Sequence, residues 1–309
     1  MSGMRVADVS LCSYYLSNVW KTVSPNVLTD FFRASQASFE LPLDLMIISD
    51  PHICSALIRG VTDQLAALAT PPKPDETVNQ LIQRVTQAST WATTVMRTAL
   101  SRHYPDIGWS SSEAQPDKPD EAAASPYWVY DPIDGAYHYL QGLPLWSSSL
   151  ALISEGRPVF SIVYDPSLHE LFVATESGGA TLDGSPLRVS GKSDLRAAVV
   201  ATALPPFGYG DEDEHRRSLA LLGAMCRRVF VVRQMASASL QLAYVAAGRL
   251  DAYWETGNDL YDWMAGALLV REAGGQVTDL AGASLGSSAN GIAAAPAGLA
   301  VGLLEGLAD

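Results

Sequence analysis

Trp128-Val129-Tyr130-Asp131-Pro132-Ile133-Asp134-Gly135 sets two carboxylates three residues apart behind an aromatic and β-branched run. Trp128, Val129 and Tyr130 favour a strand, Pro132 brings no N–H to a ladder, and Gly135 permits a tight turn. Asp131 and Asp134 are therefore expected where a strand stops. No lysine or arginine occurs between residues 131 and 141. Two carboxylates held together without a cation repel, and one tends to stay protonated unless an ion such as Mg²⁺ neutralises both. The same letters also suit a plain turn in which Asp caps the backbone.

Downstream of this run the period shortens to that of strands: Leu145 to Ser154, Pro158 to Tyr164 and Glu170 to Thr175, then a Gly-rich hairpin through Asp183-Gly184. The second half alternates between strands at 197–203, 229–233 and 250–254 and helices at 213–227, 237–247 and 262–273, with Gly274-Gly275 as a stop. Strands near Val277 and Ile292 complete the pattern, which is that of an α/β layer. Asp262 stands where a strand gives way to a helix. Open α/β sheets bind ligands beyond the carboxyl ends of strands, and a helix start offers free N–H groups to a phosphate. Asp262 joins Asp131 and Asp134 in that reading; the plain alternative is an N-cap worth about 1 kcal/mol.

Upstream, helical spacing runs over 76–103, and Pro71-Pro72-Lys73-Pro74 reads as a stiff linker after a second helical stretch, 44–69, that carries Pro51. Residues 109–125 are polar, with two prolines, and read as a loop. The resulting division is 1–75, 76–195 and 196–309. With 48% hydrophobic and 17% charged residues the chain has the composition of a folded globule. A net charge of −13 argues against a nucleic-acid or anionic-membrane partner. Three scattered cysteines, Cys12, Cys54 and Cys226, fit no disulfide framework. No secretory signal or membrane-spanning run is evident, so a cytoplasmic location is expected.

Trp128 to Gly135, then Gly142-Leu143-Pro144, Val163-Tyr164-Asp165-Pro166, Glu170-Leu171-Phe172 and Gly184 to Ser190 resemble the inositol monophosphatase family in order and spacing. Tyr261-Asp262-Trp263-Met264-Ala265-Gly266-Ala267 with Glu272-Ala273-Gly274-Gly275 resembles its second signature. The resemblance covers roughly residues 76 to 300 and leaves the N-terminal segment 1–75 unmatched. It implies a five-layer α/β/α/β/α sandwich and Mg²⁺-dependent, lithium-sensitive hydrolysis of a phosphate monoester by a metal-activated water. It also implies a small phosphorylated metabolite as substrate and a homodimer. By position, Asp131, Asp134, Asp262 and the Ile133 carbonyl match metal ligands. Gly135 and Ala136 match the backbone N–H groups that hold phosphate, and Glu255 and Ser237 match the substrate pocket.

Three positions depart from the pattern. Ala136 stands where the family has a threonine that orients the attacking water. Ser112 falls on the family's first upstream glutamate, which leaves Glu113 as the nearest carboxylate for that metal and catalytic role. Ser89 falls on an acidic residue that supports the water. The expected function is a phosphoric monoester hydrolase of reduced rate. The alternative is an impaired relative that keeps the phosphate cradle as a binding module.

Overall fold

The computed structural model describes residues 50–110, 126–204, 212–286 and 289–308. Glu113, Ser112, Cys12 and residues 1–49 lie outside them. Among the described residues two helices come first: α1, Pro51–Leu68, capped by the Asp50 side chain, and α2, Val78–His103. Pro51, expected inside a longer helix, instead begins one, where its missing N–H costs nothing. Thr77 caps α2 through a reciprocal pair with Gln80.

A seven-stranded sheet follows, built from β1 (Gly108–Trp109), β2 (Tyr127–Asp134), β3 (Ser147–Ser154), β4 (Arg157–Asp165), β5 (Glu170–Thr175), β6 (Gly179–Leu182) and β7 (Ser185–Pro186). It is antiparallel apart from β1 against β2. Short helix α3, Ala136–Gln141, leaves β2. A mixed second sheet orders β11-β12-β10-β8-β9 from β8 (Val199–Thr202), β9 (Val231–Gln234), β10 (Ala252–Thr256), β11 (Gly275–Thr278) and β12 (Gly291–Pro296). The remaining helices are α4 (Glu212–Met225), α5 (Ala238–Ala246), α6 (Leu260–Glu272) and α7 (Ala297–Ala308).

Strand alternation sorts these elements into five layers. Trp128, Tyr130, Leu150 and Ile162 on one face of the first sheet pack with Ile58, Leu65, Met96 and Leu100 of α1 and α2. Tyr127, Val129, Ile153 and Phe172 on the other face meet α5 and α6, whose far sides meet Ala201, Tyr253 and Ile292 of the second sheet. Val200, Trp254 and Ala295 then cover Leu221 of α4 with Leu299 and Leu303 of α7. The expected α/β/α/β/α sandwich is thus present. Residues 51–68 share its outer core.

Candidate metal centre

The Asp131–Asp134 run departs from its expected geometry in one instructive way. Strand β2 does not stop at Pro132 but runs on to Asp134, with a register shift. Asp131 lies opposite Ser149 and Asp134 opposite Ser147, so three steps on β2 face two on β3. That is a bulge, made where proline has no N–H to give. Its consequence is steric. Residues three apart on a regular strand point to opposite faces, and one extra residue returns both carboxylates to the same face. That face is the one Tyr127 and Val129 present to the α5–α6 layer.

Gly135 ends the strand at φ 93°, a left-handed conformation natural to glycine. A Cβ there would also press on Trp146 and the Leu145 carbonyl at 3.1 Å. The Tyr130 and Pro132 carbonyls are tied by Tyr261 Oη–H and Ser148 Oγ–H, the latter at 2.6 Å. The Ile133 N–H donates to Asp131 Oδ1 at 3.0 Å.

Asp262 arrives from the middle layer. It lies in the first turn of α6 rather than at the cap, which is Asp259, so the N-cap alternative does not hold. One carboxylate oxygen from each of Asp131, Asp134 and Asp262 falls within 4.8 Å of the others. Asp131 and Asp134 are 8% and 4% exposed, so water screens them little. Burial pushes Asp262 far above the usual carboxylate range, and the charges of Asp134, Asp131, Asp259 and Glu255 push it further. The donor set is hard oxygen at short spacing, which suits Mg²⁺ and suits no soft metal.

Asp134 is held from the second half of the chain. Ser237 Oγ–H at 3.0 Å, Ser239 N–H at 2.8 Å and Ser239 Oγ–H at 2.5 Å donate to its Oδ2, and Ala238 N–H donates to Oδ1 at 3.2 Å. Burial raises its pKa, and these four bonds act against the rise. Ser237 also caps α5 by accepting Leu240 N–H at 3.2 Å, in a backbone conformation of φ 62° that is strained for a non-glycine residue.

Glu255, at the end of β10, accepts Tyr253 Oη–H at 2.5 Å and Trp263 Nε1–H at 2.8 Å on the same oxygen. Desolvation raises its carboxyl to about 7; the two hydrogen bonds oppose the rise, and Asp259 and Asp134 add to it.

The structure brings together Asp131, Asp134, Asp262 and Ser237, with Gly135 and Ala136 directly following Asp134 and Glu255 close enough for its charge to act on Asp262. Ser89 lies within α2, half-buried. Sequence reasoning did not find Ser147 and Ser239. The run Ser147-Ser148-Ser149, polar inside an otherwise apolar strand, was the available signal.

The model of the inositol monophosphatase family matches residues 60–308. An inositol-1-monophosphatase of Mesorhizobium japonicum is 37% identical over 198 residues, 64% of this chain and 73% of that protein. The Nus factor SuhB of Xylella fastidiosa is 38% identical over 184 residues, 60% of this chain and 64% of that protein. The solved SuhB of Bartonella henselae superposes with a TM-score of 0.71 at 29% identity, covering 82% of this chain and 96% of that one.

Proposed function

The chain belongs to the inositol monophosphatase family, and from that premise we propose that it is a Mg²⁺-dependent phosphomonoesterase acting slowly on a small sugar, polyol or nucleotide phosphate. The observation that carries this reading is the convergence of Asp131, Asp134 and Asp262 within 4.8 Å, where the charges that act most on Asp262 are all negative. A protein without a cation at this place has no physical reason to hold three buried or half-buried carboxylates together. Mg²⁺, when bound, supplies charge neutralisation and activation of water.

The protein's own groups do the rest. Asp131, Asp134 and Asp262 would hold the ion, with the Ile133 carbonyl and Glu113 as further ligands. Gly135 and Ala136 direct backbone N–H groups at the phosphate, for which no side chain is needed. Glu255 and Ser237 meet the hydroxyls of the substrate's alcohol portion. Ala136 brings no hydroxyl to the attacking water, and that loss sets the slow rate. One positioned acid–base component is typically worth about 10²- to 10⁴-fold. A homodimer in the cytoplasm completes the proposal.

The test is inorganic phosphate release from a panel of phosphomonoesters with and without Mg²⁺. Metal-dependent release is expected from wild type and none from Asp134→Asn. No release from any ester, together with no Mg²⁺ binding by calorimetry, would sink the reading. Mg²⁺ binding without turnover would favour the binding-module alternative, which the name of the SuhB relatives also suggests.

A further inference from the structure

The four donors to Asp134 are distributed unevenly. Three converge on Oδ2, whereas among the described residues Oδ1 receives only the Ala238 N–H at 3.2 Å. A carboxylate offers about four lone-pair sites, two on each oxygen, so Oδ2 is filled and Oδ1 is not. Ser147 stands opposite Asp134 in the β2–β3 register, and its Oγ lies 2.9 Å from Ser237 Oγ and 3.0 Å from Ser239 Oγ. Ser237 has a second task as the cap of α5. Ser147 and Ser239 are both fully buried, and their hydroxyls serve this cluster.

We propose that Ser147 and Ser239 are positioning residues that lock Asp134 in one rotamer, Oδ2 filled by protein donors and Oδ1 presented to the cation shared with Asp131 and Asp262. This inference rests on the phosphatase reading above. Ser239 acts directly, through its N–H and Oγ–H. Ser147 acts one bond further out. With the Ser237 and Ser239 protons directed at Asp134, Ser147 donates to one of those hydroxyls and polarises it toward the carboxylate. The sheet register fixes this hub beside the ligand it serves. Outer hydrogen bonds of this kind orient metal ligands, and removing one typically weakens metal binding about 10- to 100-fold.

Calorimetric titration of the metal-free full chain with Mg²⁺ tests the proposal on wild type, Ser239→Ala, Ser147→Ala, Ser239→Thr and Ser161→Ala. Ser161 supplies the control, since its hydroxyl in β4 is equally buried and meets no partner among the described residues. Ser239→Ala is expected to bind Mg²⁺ about 10- to 100-fold more weakly. Ser147→Ala should lose less, Ser239→Thr should recover most of the affinity, and Ser161→Ala should match wild type. Equal Mg²⁺ affinity in wild type, Ser239→Ala and Ser147→Ala would overturn the proposal, even if their urea midpoints differ. Should Ser239→Ala fail to fold, Ser147→Ala, which removes no direct bond to Asp134, decides the matter alone: weaker Mg²⁺ binding supports the proposal and unchanged binding overturns it. Absence of Mg²⁺ binding by wild type would instead count against the phosphatase reading.

Discussion

Glu255 carries a cost that its neighbours only partly offset. Its carboxyl titrates near 7 in the folded protein against 4.5 for the free group, chiefly because it is desolvated. Between these values the native state holds a proton that the unfolded chain has released, so stability falls as pH rises through that window. The contribution is complete below about pH 4.5 and gone above about pH 7. Metal-free protein should therefore lose urea resistance between about pH 4.5 and about pH 7. Asp134 and Asp262, whose pKa values are also raised, push the same way. The share due to Glu255 appears as a difference: Glu255→Gln keeps an acceptor for Tyr253 and Trp263, and its midpoint should decline less. An identical decline in both proteins would show that this carboxyl does not titrate as its surroundings imply.

At the scale of elements, the middle layer depends on a close crossing of α5 and α6. A methyl group on Gly266 would overlap Leu242, with Cδ1 only 2.7 Å away. Both helices are buried on nearly every side, so neither can step aside at low cost. Gly266→Ala is expected to destabilise by about 1–3 kcal/mol, the usual range for overpacking, seen as a lowered urea midpoint at unchanged slope. A gain in stability, as a helical Gly→Ala change gives where space allows, would refute the tight crossing. This glycine was legible only as part of a signature, because the clash belongs to a partner helix and not to local sequence. Strand β5 came out at the expected residues, since its apolar run is bounded by plain turns. Helix α7 and the bulge at Pro132 were not foreseen. The first carries a weak pattern of small residues, Ala297 to Ala308, and the second is set by a neighbouring strand. Asp131 and Asp134 stood out in the sequence as paired carboxylates with no lysine or arginine from 131 to 141, whereas Asp262 joined them only through its place between strand and helix and its signature. Ser147 and Ser239 did not stand out, since hydroxyls are common in every setting.

Across the whole molecule, the acidic cluster joins layers drawn from distant parts of the chain. Asp131 and Asp134 belong to the first sheet, Asp262 to the helical layer behind it. Folding must bring these charges together, and without a cation the assembly works against their repulsion. Mg²⁺ binding to the native state alone should reverse the sign, adding about 2.7 kcal/mol at a hundredfold excess over Kd. Replacing one charge separates the two effects. Metal-free Asp262→Asn, relieved of part of the repulsion, should melt above metal-free wild type at neutral pH. Added Mg²⁺ should then raise the wild-type melting temperature past that of the variant, whose own response should be small. A structural carboxylate predicts the opposite order: Asp262→Asn would melt lower without metal, and Mg²⁺ would shift both proteins alike. The crossing of the two melting curves with Mg²⁺ therefore distinguishes a cation site that strains the empty fold from an acidic cluster that merely braces it.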